Sequence, residues 1–171
     1  ARVARSITET LDMRAIGERV VTSVLELFGV KGSSLRLRQA DGSMARFVST
    51  GEVFSRTEAG AVVPAGTGLA ARAFAEGKAV WSADTLNDPG IEFSAVMRDY
   101  VARSGNGSMM AVPLRVYENA IGMLTLTDRT GRAYWQTEVE LVQAFADQVA
   151  LALHNARLYE QSESQLKRIE A

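Results

Sequence analysis

Apolar residues near the start of the chain recur at helical steps. Ile7, Leu11, Ile16, Val20 and Val24 fall four or five residues apart, with Leu27 and Phe28 three and four beyond Val24. This spacing predicts an amphipathic helix over residues 7–28, ended by Gly29. The period then changes to two. Residues 33–38 (Ser-Ser-Leu-Arg-Leu-Arg) predict a half-buried strand, Asp41-Gly42 a turn, and residues 44–50 the returning partner strand. Residues 51–60 are polar and mixed and read as a loop with at most a short strand. The stretch 62–68 leads into a short helix over 69–76, stopped by Gly77. Residues 79–82 read as a short strand and 86–90 as turn chemistry. A second short helix is predicted over 93–103, with Phe93, Val96, Met97, Tyr100 and Val101 on one side.

The later part of the chain is more apolar. Residues 108–116 and 120–127 carry apolar side chains at nearly every position, as central strands covered on both faces do, with a turn at Tyr117-Glu118-Asn119. Pro113 is expected to end or edge its ladder. Thr125 and Thr127 alternate with Leu124 and Leu126, so one face of that strand can meet a helical core while the other offers hydroxyls to a cavity. Thr137 and Glu140 have capping-box spacing ahead of a last helix, apolar from Val139 to Leu158 and polar to Ala171. The order of elements predicts an α+β fold in three layers, α/β/α. Its sheet is mainly antiparallel, the long first and last helices share one face, and the two short helices with their loops cover the other.

Composition removes several chemistries. The 171 residues include no cysteine and one histidine, which excludes disulfides, thiolate nucleophiles, zinc ribbons and a multi-histidine metal site. Lys+Arg is 19 against Asp+Glu 20, for a net charge of −1. Three of those cations are lysines (Lys31, Lys78, Lys167) and the remaining sixteen are scattered arginines, so no basic patch points to nucleic acid. No apolar run approaches membrane-spanning length. The chain starts without Met and ends on a charged helical pattern, as expected of a piece of a larger protein.

Six segments in order resemble the GAF domain family over about residues 11–159. They are Pro64-Ala65-Gly66-Thr67-Gly68-Leu69-Ala70, Gly77-Lys78-Ala79-Val80, Asp84 with Asn87-Asp88-Pro89, Ser108-Met109-Met110-Ala111-Val112-Pro113-Leu114, Ile121-Gly122-Met123-Leu124, and Ala150-Leu151-Ala152-Leu153-His154-Asn155-Ala156-Arg157-Leu158-Tyr159. The resemblance implies a single domain over 1–171, with a six-stranded antiparallel sheet between a helical face and a small-molecule pocket. It also implies a cytoplasmic, non-catalytic sensory module of a signalling protein such as a two-component histidine kinase, with residues 160–171 starting a helical linker to an output domain.

Met97, Met109, Met110 and Met123, with Phe47, Trp81, Phe93, Tyr100, Thr125 and Thr127, are the expected ligand-binding residues. Together they make a mostly apolar pocket with a few polar groups. Each methionine can equally be core filling, which leaves open a ligand-free dimerisation or linker module with a filled pocket. Gly66-x-Gly68-x-x-Ala71 followed by Asp84 matches a dinucleotide fingerprint, but Pro64 interrupts the approach and a tight turn is the better account. Asp84 and Asp88 form a carboxylate pair that turn geometry explains.

The absent cysteine also excludes the covalent bilin attachment and the thiolate sulfoxide reduction of other GAF subtypes. The Asn-Lys … Phe-x-x-x-Asp-Glu pattern of cyclic-nucleotide members is missing, so cyclic GMP is not expected. His154, the sole candidate haem ligand, falls beside Asp147, Ala150, Leu151 and Leu158 on the helical side. No cofactor is therefore expected. The expected partners are an unknown small molecule and a second copy of the chain, paired in parallel through the terminal helices at Ile7, Leu11, Leu151, His154 and Leu158. Neither nucleic acid nor membrane contact is expected. No nucleophile, metal cluster or histidine pair supports an enzyme.

Overall fold

The computed structural model describes residues 2–170; the side chains of residues 2–12, Glu160 and Glu170 lie outside the described residues. Among those side chains are Ile7 and Leu11 of the expected dimer seam.

The elements run α1 (Arg2–Phe28), β1 (Gly32–Arg38), β2 (Met44–Gly51), β3 (Val62–Val63), α2 (Gly68–Glu76), β4 (Val80–Ser82), α3 (Ala95–Ser104), β5 (Ser108–Val116), β6 (Asn119–Asp128) and α4 (Gln136–Glu170). One six-stranded sheet has the order β3-β2-β1-β6-β5-β4, and each of its pairings is antiparallel. The sixth strand is the two-residue β3, reached from β2 through single 3-10 turns at Phe54–Arg56 and Ala59–Ala61. These turns stand where the sequence predicts an irregular loop.

Helices α1 and α4 pack on each other and on one sheet face. Their core joins Val20, Val21 and Val24 of α1 and Val142, Ala146 and Ala150 of α4 to Leu35, Val112, Leu124 and Leu126 of the sheet. A second core on the opposite face joins Met44, Met109, Ala111 and Met123 to Leu69 and Ala73 of α2 and Val101 of α3. The period-2 rule thus distributes β6 as its sequence predicts, with Leu124 and Leu126 toward the helix pair and Met123, Thr125 and Thr127 away from it.

Several local expectations change. β1 is not half-buried: Ser33, Ser34, Leu35 and Arg36 are all buried, because both sheet faces are covered. Helix α3 begins at Ala95, where the Ser94 hydroxyl accepts the Met97 backbone N–H as an N-cap. The cap of α4 lies two residues earlier than predicted. The Glu138 carboxylate, rather than that of Glu140, turns back to accept the Trp135 backbone N–H at 2.9 Å. Pro113 edges its ladder without ending it, two residues beyond the last β4 pairing, Val80 with Ala111. Gly122 lets β6 approach β1 closely, since a Cβ there would strike the Arg36 carbonyl oxygen.

Candidate ligand-binding site

The sheet face opposite α1 and α4 holds a cavity of about 70 Å³. Its floor is the outward-facing row of the central strands: Ser34 and Arg36 of β1, Met123, Thr125 and Thr127 of β6, and Met109 and Ala111 of β5. Cross-strand register makes this row continuous, since Ser34 faces Thr125, which faces Ala111. The Ser34 and Thr125 hydroxyls share a hydrogen bond of 2.6 Å. The roof comes from Thr67, Gly68 and Leu69 at the start of α2, Met97 and Tyr100 of α3, and the Val53–Phe54–Ser55 segment. Gly66 and Gly68 adopt φ of 79° and 72°, so the chain can turn sharply into α2. The Gly68 N–H then donates to the Glu92 carbonyl at 2.6 Å, tying α2 to the lead-in of α3.

The polar groups of the cavity are donor-rich. Arg36 is only 6% exposed. Its Nη2 donates to the Gly60 carbonyl at 2.7 Å and its Nη1 to the Met44 carbonyl at 3.3 Å. Arg46, its register partner on β2, donates from Nη1 to the carbonyls of Ser55 and Thr57. Burial, and then the neighbouring Arg46 charge, push the Arg36 guanidinium down to about 10, which leaves it cationic at neutral pH. Among the described residues the Ser55 hydroxyl and the Asn106 side-chain amide nitrogen, both buried at the cavity, have no hydrogen-bond partner. The Tyr100 phenol is raised above its ordinary value, by burial first and then by the Glu52 charge, with Arg56 opposing.

Of the residues expected to bind ligand, Met97, Tyr100, Met109, Met123, Thr125 and Thr127 surround this cavity. Met110 borders it but belongs to the helical-side core. Phe93 packs into the cavity-side core without lining the space. Phe47 and Trp81 are corrections, for both lie on the helical face. Residue 47 is the extra residue of a bulge, because Leu35 pairs with Val48 while Arg36 pairs with Arg46. Phe47 and Val48 therefore both abut Gly17 of α1. Trp81 pairs with Met110 and takes its parity, meeting the Tyr134 ring at 5.8 Å.

Sequence reasoning missed Arg36, Ser34, Met44, Phe54, Ser55 and Asn106. The signal for the first two lay in β1: polar residues alternating with leucines in a strand that a two-sided fold must bury.

The remaining candidates have structural roles. Asp88 accepts the Gly90 N–H, which chiefly holds its carboxyl below the usual carboxylate range, and Arg72 meets its other oxygen at 3.3 Å. Asp84 accepts from the Asn87 amide. His154 is half-buried on α4, away from the cavity. Among the described residues no group of three or more His, Cys, Asp or Glu could hold a metal ion, and no helix is long and apolar enough to cross a membrane.

An antiparallel six-stranded sheet with a helix pair on one face and a small roofed cavity on the other defines a three-layer α+β domain built around an internal site. Residues 12–153 match the model of the GAF domain, and the chain belongs to that family of sensory and regulatory modules. Among solved structures, a GAF domain/HD domain protein from Geobacter sulfurreducens aligns with a TM-score of 0.74 at 13% identity, covering 86% of this chain and 95% of that one. The GAF domain of an Acinetobacter phosphoenolpyruvate-protein phosphotransferase aligns at 0.72 and 12% identity, covering 94% and 95%. A type II free methionine-R-sulfoxide reductase from Thermoplasma acidophilum aligns at 0.71 and 17% identity, covering 86% and 96%. At these identities the likeness is one of fold.

Proposed function

We propose that this chain is a non-catalytic sensory GAF domain that binds a small molecule without covalent attachment and passes its occupancy to an attached output domain. The observation that carries this reading is the roofed cavity at which the buried Ser55 hydroxyl and Asn106 side-chain nitrogen lack partners among the described residues. Buried polar atoms are rarely left unpaired, so a bound group that supplies the partners is stabilised. The route out of the site is short. β6 presents Met123, Thr125 and Thr127 to the cavity and Leu124 and Leu126 to the helix pair, so a displacement of the strand reaches both faces. A ligand that binds one arrangement better shifts the helices toward it. The Thermoplasma protein is a reductase, but this chain has no cysteine, and its reading here is as a sensor.

The module works in the cytoplasm, in a signalling protein such as a histidine kinase, as a homodimer through α4. Leu151 and Leu158, one heptad apart, and Ile169 beyond them are 52%, 48% and 80% exposed, and His154 lies on the same stretch. Sedimentation equilibrium is expected to give a dimer mass that Leu151→Arg with Leu158→Arg converts to monomer. A concentration-independent monomer mass for the unsubstituted chain overturns the pairing.

A thermal-shift screen of metabolites tests the ligand reading. A hit is expected to raise the midpoint with concentration, and Tyr100→Ala to abolish that shift. An unaltered shift places the site elsewhere. A screen without hits favours the second reading, a dimerisation and linker module, for which the cavity's small volume of about 70 Å³ speaks.

A further inference from the structure

Arg36 is the chemical anomaly of the cavity. It sits on a central strand, is only 6% exposed, and among the described residues has two carbonyl oxygens as its acceptors. No described carboxylate lies within ion-pair distance of it, and its register partner Arg46 is a second cation whose described hydrogen bonds go to carbonyls. A buried charge without a counter-charge is costly, and carbonyl dipoles offset that cost only in part. The guanidinium has five N–H donors in a planar fork, of which the two carbonyl bonds use two. The neighbouring partnerless groups, Ser55 Oγ and Asn106 Nδ2, can both donate as well. No described residue lining the cavity is an Asp or Glu. The whole site therefore lacks negative charge and has donors to spare.

We propose that the cavity is a site for a small organic monocarboxylate, whose carboxylate supplies the missing counter-charge to Arg36 and whose short aliphatic end lies against Met97, Met109 and Met123. This rests on the reading of the cavity as a ligand site. A planar carboxylate matches the guanidinium fork, and the thioethers adapt to an apolar tail. The space of about 70 Å³ is several times the ~10–15 Å³ that a single water needs, so an acid of a few non-hydrogen atoms fits as the site stands. The same electrostatics selects against an amino acid. Its ammonium would be buried among donors and a cation, with no acid lining the cavity to receive it. Glu52, whose charge reaches Tyr100, is opposed there by Arg56.

Isothermal titration of the chain with propionate, propionamide and free alanine, at matched ionic strength, tests the assignment. The three are close in size: the amide removes the negative charge and puts an N–H donor in place of one oxygen, and alanine adds an ammonium to the same carboxylate. Propionate is expected to bind saturably, and the neutral amide and the amino acid at least about tenfold more weakly. Arg36→Met, of similar length and no charge, is expected to lose propionate by the same factor while keeping a folded circular-dichroism spectrum. If that variant does not fold, the three-probe comparison on the unsubstituted chain decides alone. Propionamide binding as tightly as propionate overturns the anion site but leaves a ligand cavity. No propionate binding overturns the carboxylate assignment, whereas the ligand reading stands or falls by the metabolite screen with its Tyr100→Ala control.

Discussion

Leu124→Ala is expected to lower stability by about 4 kcal/mol, a melting midpoint roughly 10 °C lower. Leu124 is fully buried at the middle of β6, paired on one side with Leu35 and on the other with Val112. All three side chains belong to the core beneath α1 and α4. Because strands flank it on both sides and the helices cover it, the space left by the truncation has little room to collapse. The loss is then the transfer energy of the removed carbons plus a cavity. With domains stable by about 5–15 kcal/mol, this is a large share of the total. Leu124→Met keeps the volume and is expected to cost under ~1.5 kcal/mol. Urea melts of both variants make the comparison. A loss below about 1 kcal/mol for Leu124→Ala would mean that the strand is not seated against the helix pair as described.

Arg132→Met should be nearly as damaging, at about 3 kcal/mol. Arg132 closes the junction between three elements. Its guanidinium meets Asp128 at 3.5 Å at the end of β6 and Glu138 at 3.0 Å in the first turn of α4. It also donates to the Phe28 carbonyl at the end of α1 and lies 4.0 Å over the Tyr134 ring. The ion pairs are mostly shielded, with the Arg132 side chain 24% exposed, so solvent screens them less than it does a surface pair. Removing the cation strands two partly buried carboxylates, and most of the effect comes from that. Arg132→Lys is expected to recover less than half, since an ammonium cannot serve the fork and the ring together. A double-mutant cycle with Glu138→Gln should give a coupling above ~1 kcal/mol. Additive losses would assign the effect to Asp128, the Phe28 carbonyl and the Tyr134 ring rather than to Glu138.

Much of the architecture was legible in the residue order because it follows from local periodicity. The four-residue steps of Val20, Val24 and Phe28, the two-residue rhythm of β1, and the Gly29, Gly42 and Gly77 stops each act within a few residues. The alternation of Thr125 and Thr127 with Leu124 and Leu126 even separated the cavity face of β6 from its helical face. The aromatic residues were harder to place. Phe47 and Trp81 are large and apolar wherever they point, so their composition carries no face label. The bulge at residue 47 and the pairing of Trp81 with Met110 turn both toward the helices. A short strand such as β4 offers too few residues for its own alternation to reveal a parity.

By itself the sequence determined the element types, the two-sided burial of β5 and β6, the excluded thiol chemistry and the likeness to GAF domains. Only the tertiary structure decided the chemistry of the cavity. Arg36 reads as a solvent-facing residue in an isolated strand, because alternation says that it opposes Leu35 but not what covers it. The roof from residues 53–55, α2 and α3 comes from segments far along the chain. Their arrival turns an ordinary surface arginine into a buried cation with no counter-charge among the described residues, since the cost of a charge depends on the solvent removed around it and not on its neighbours in sequence.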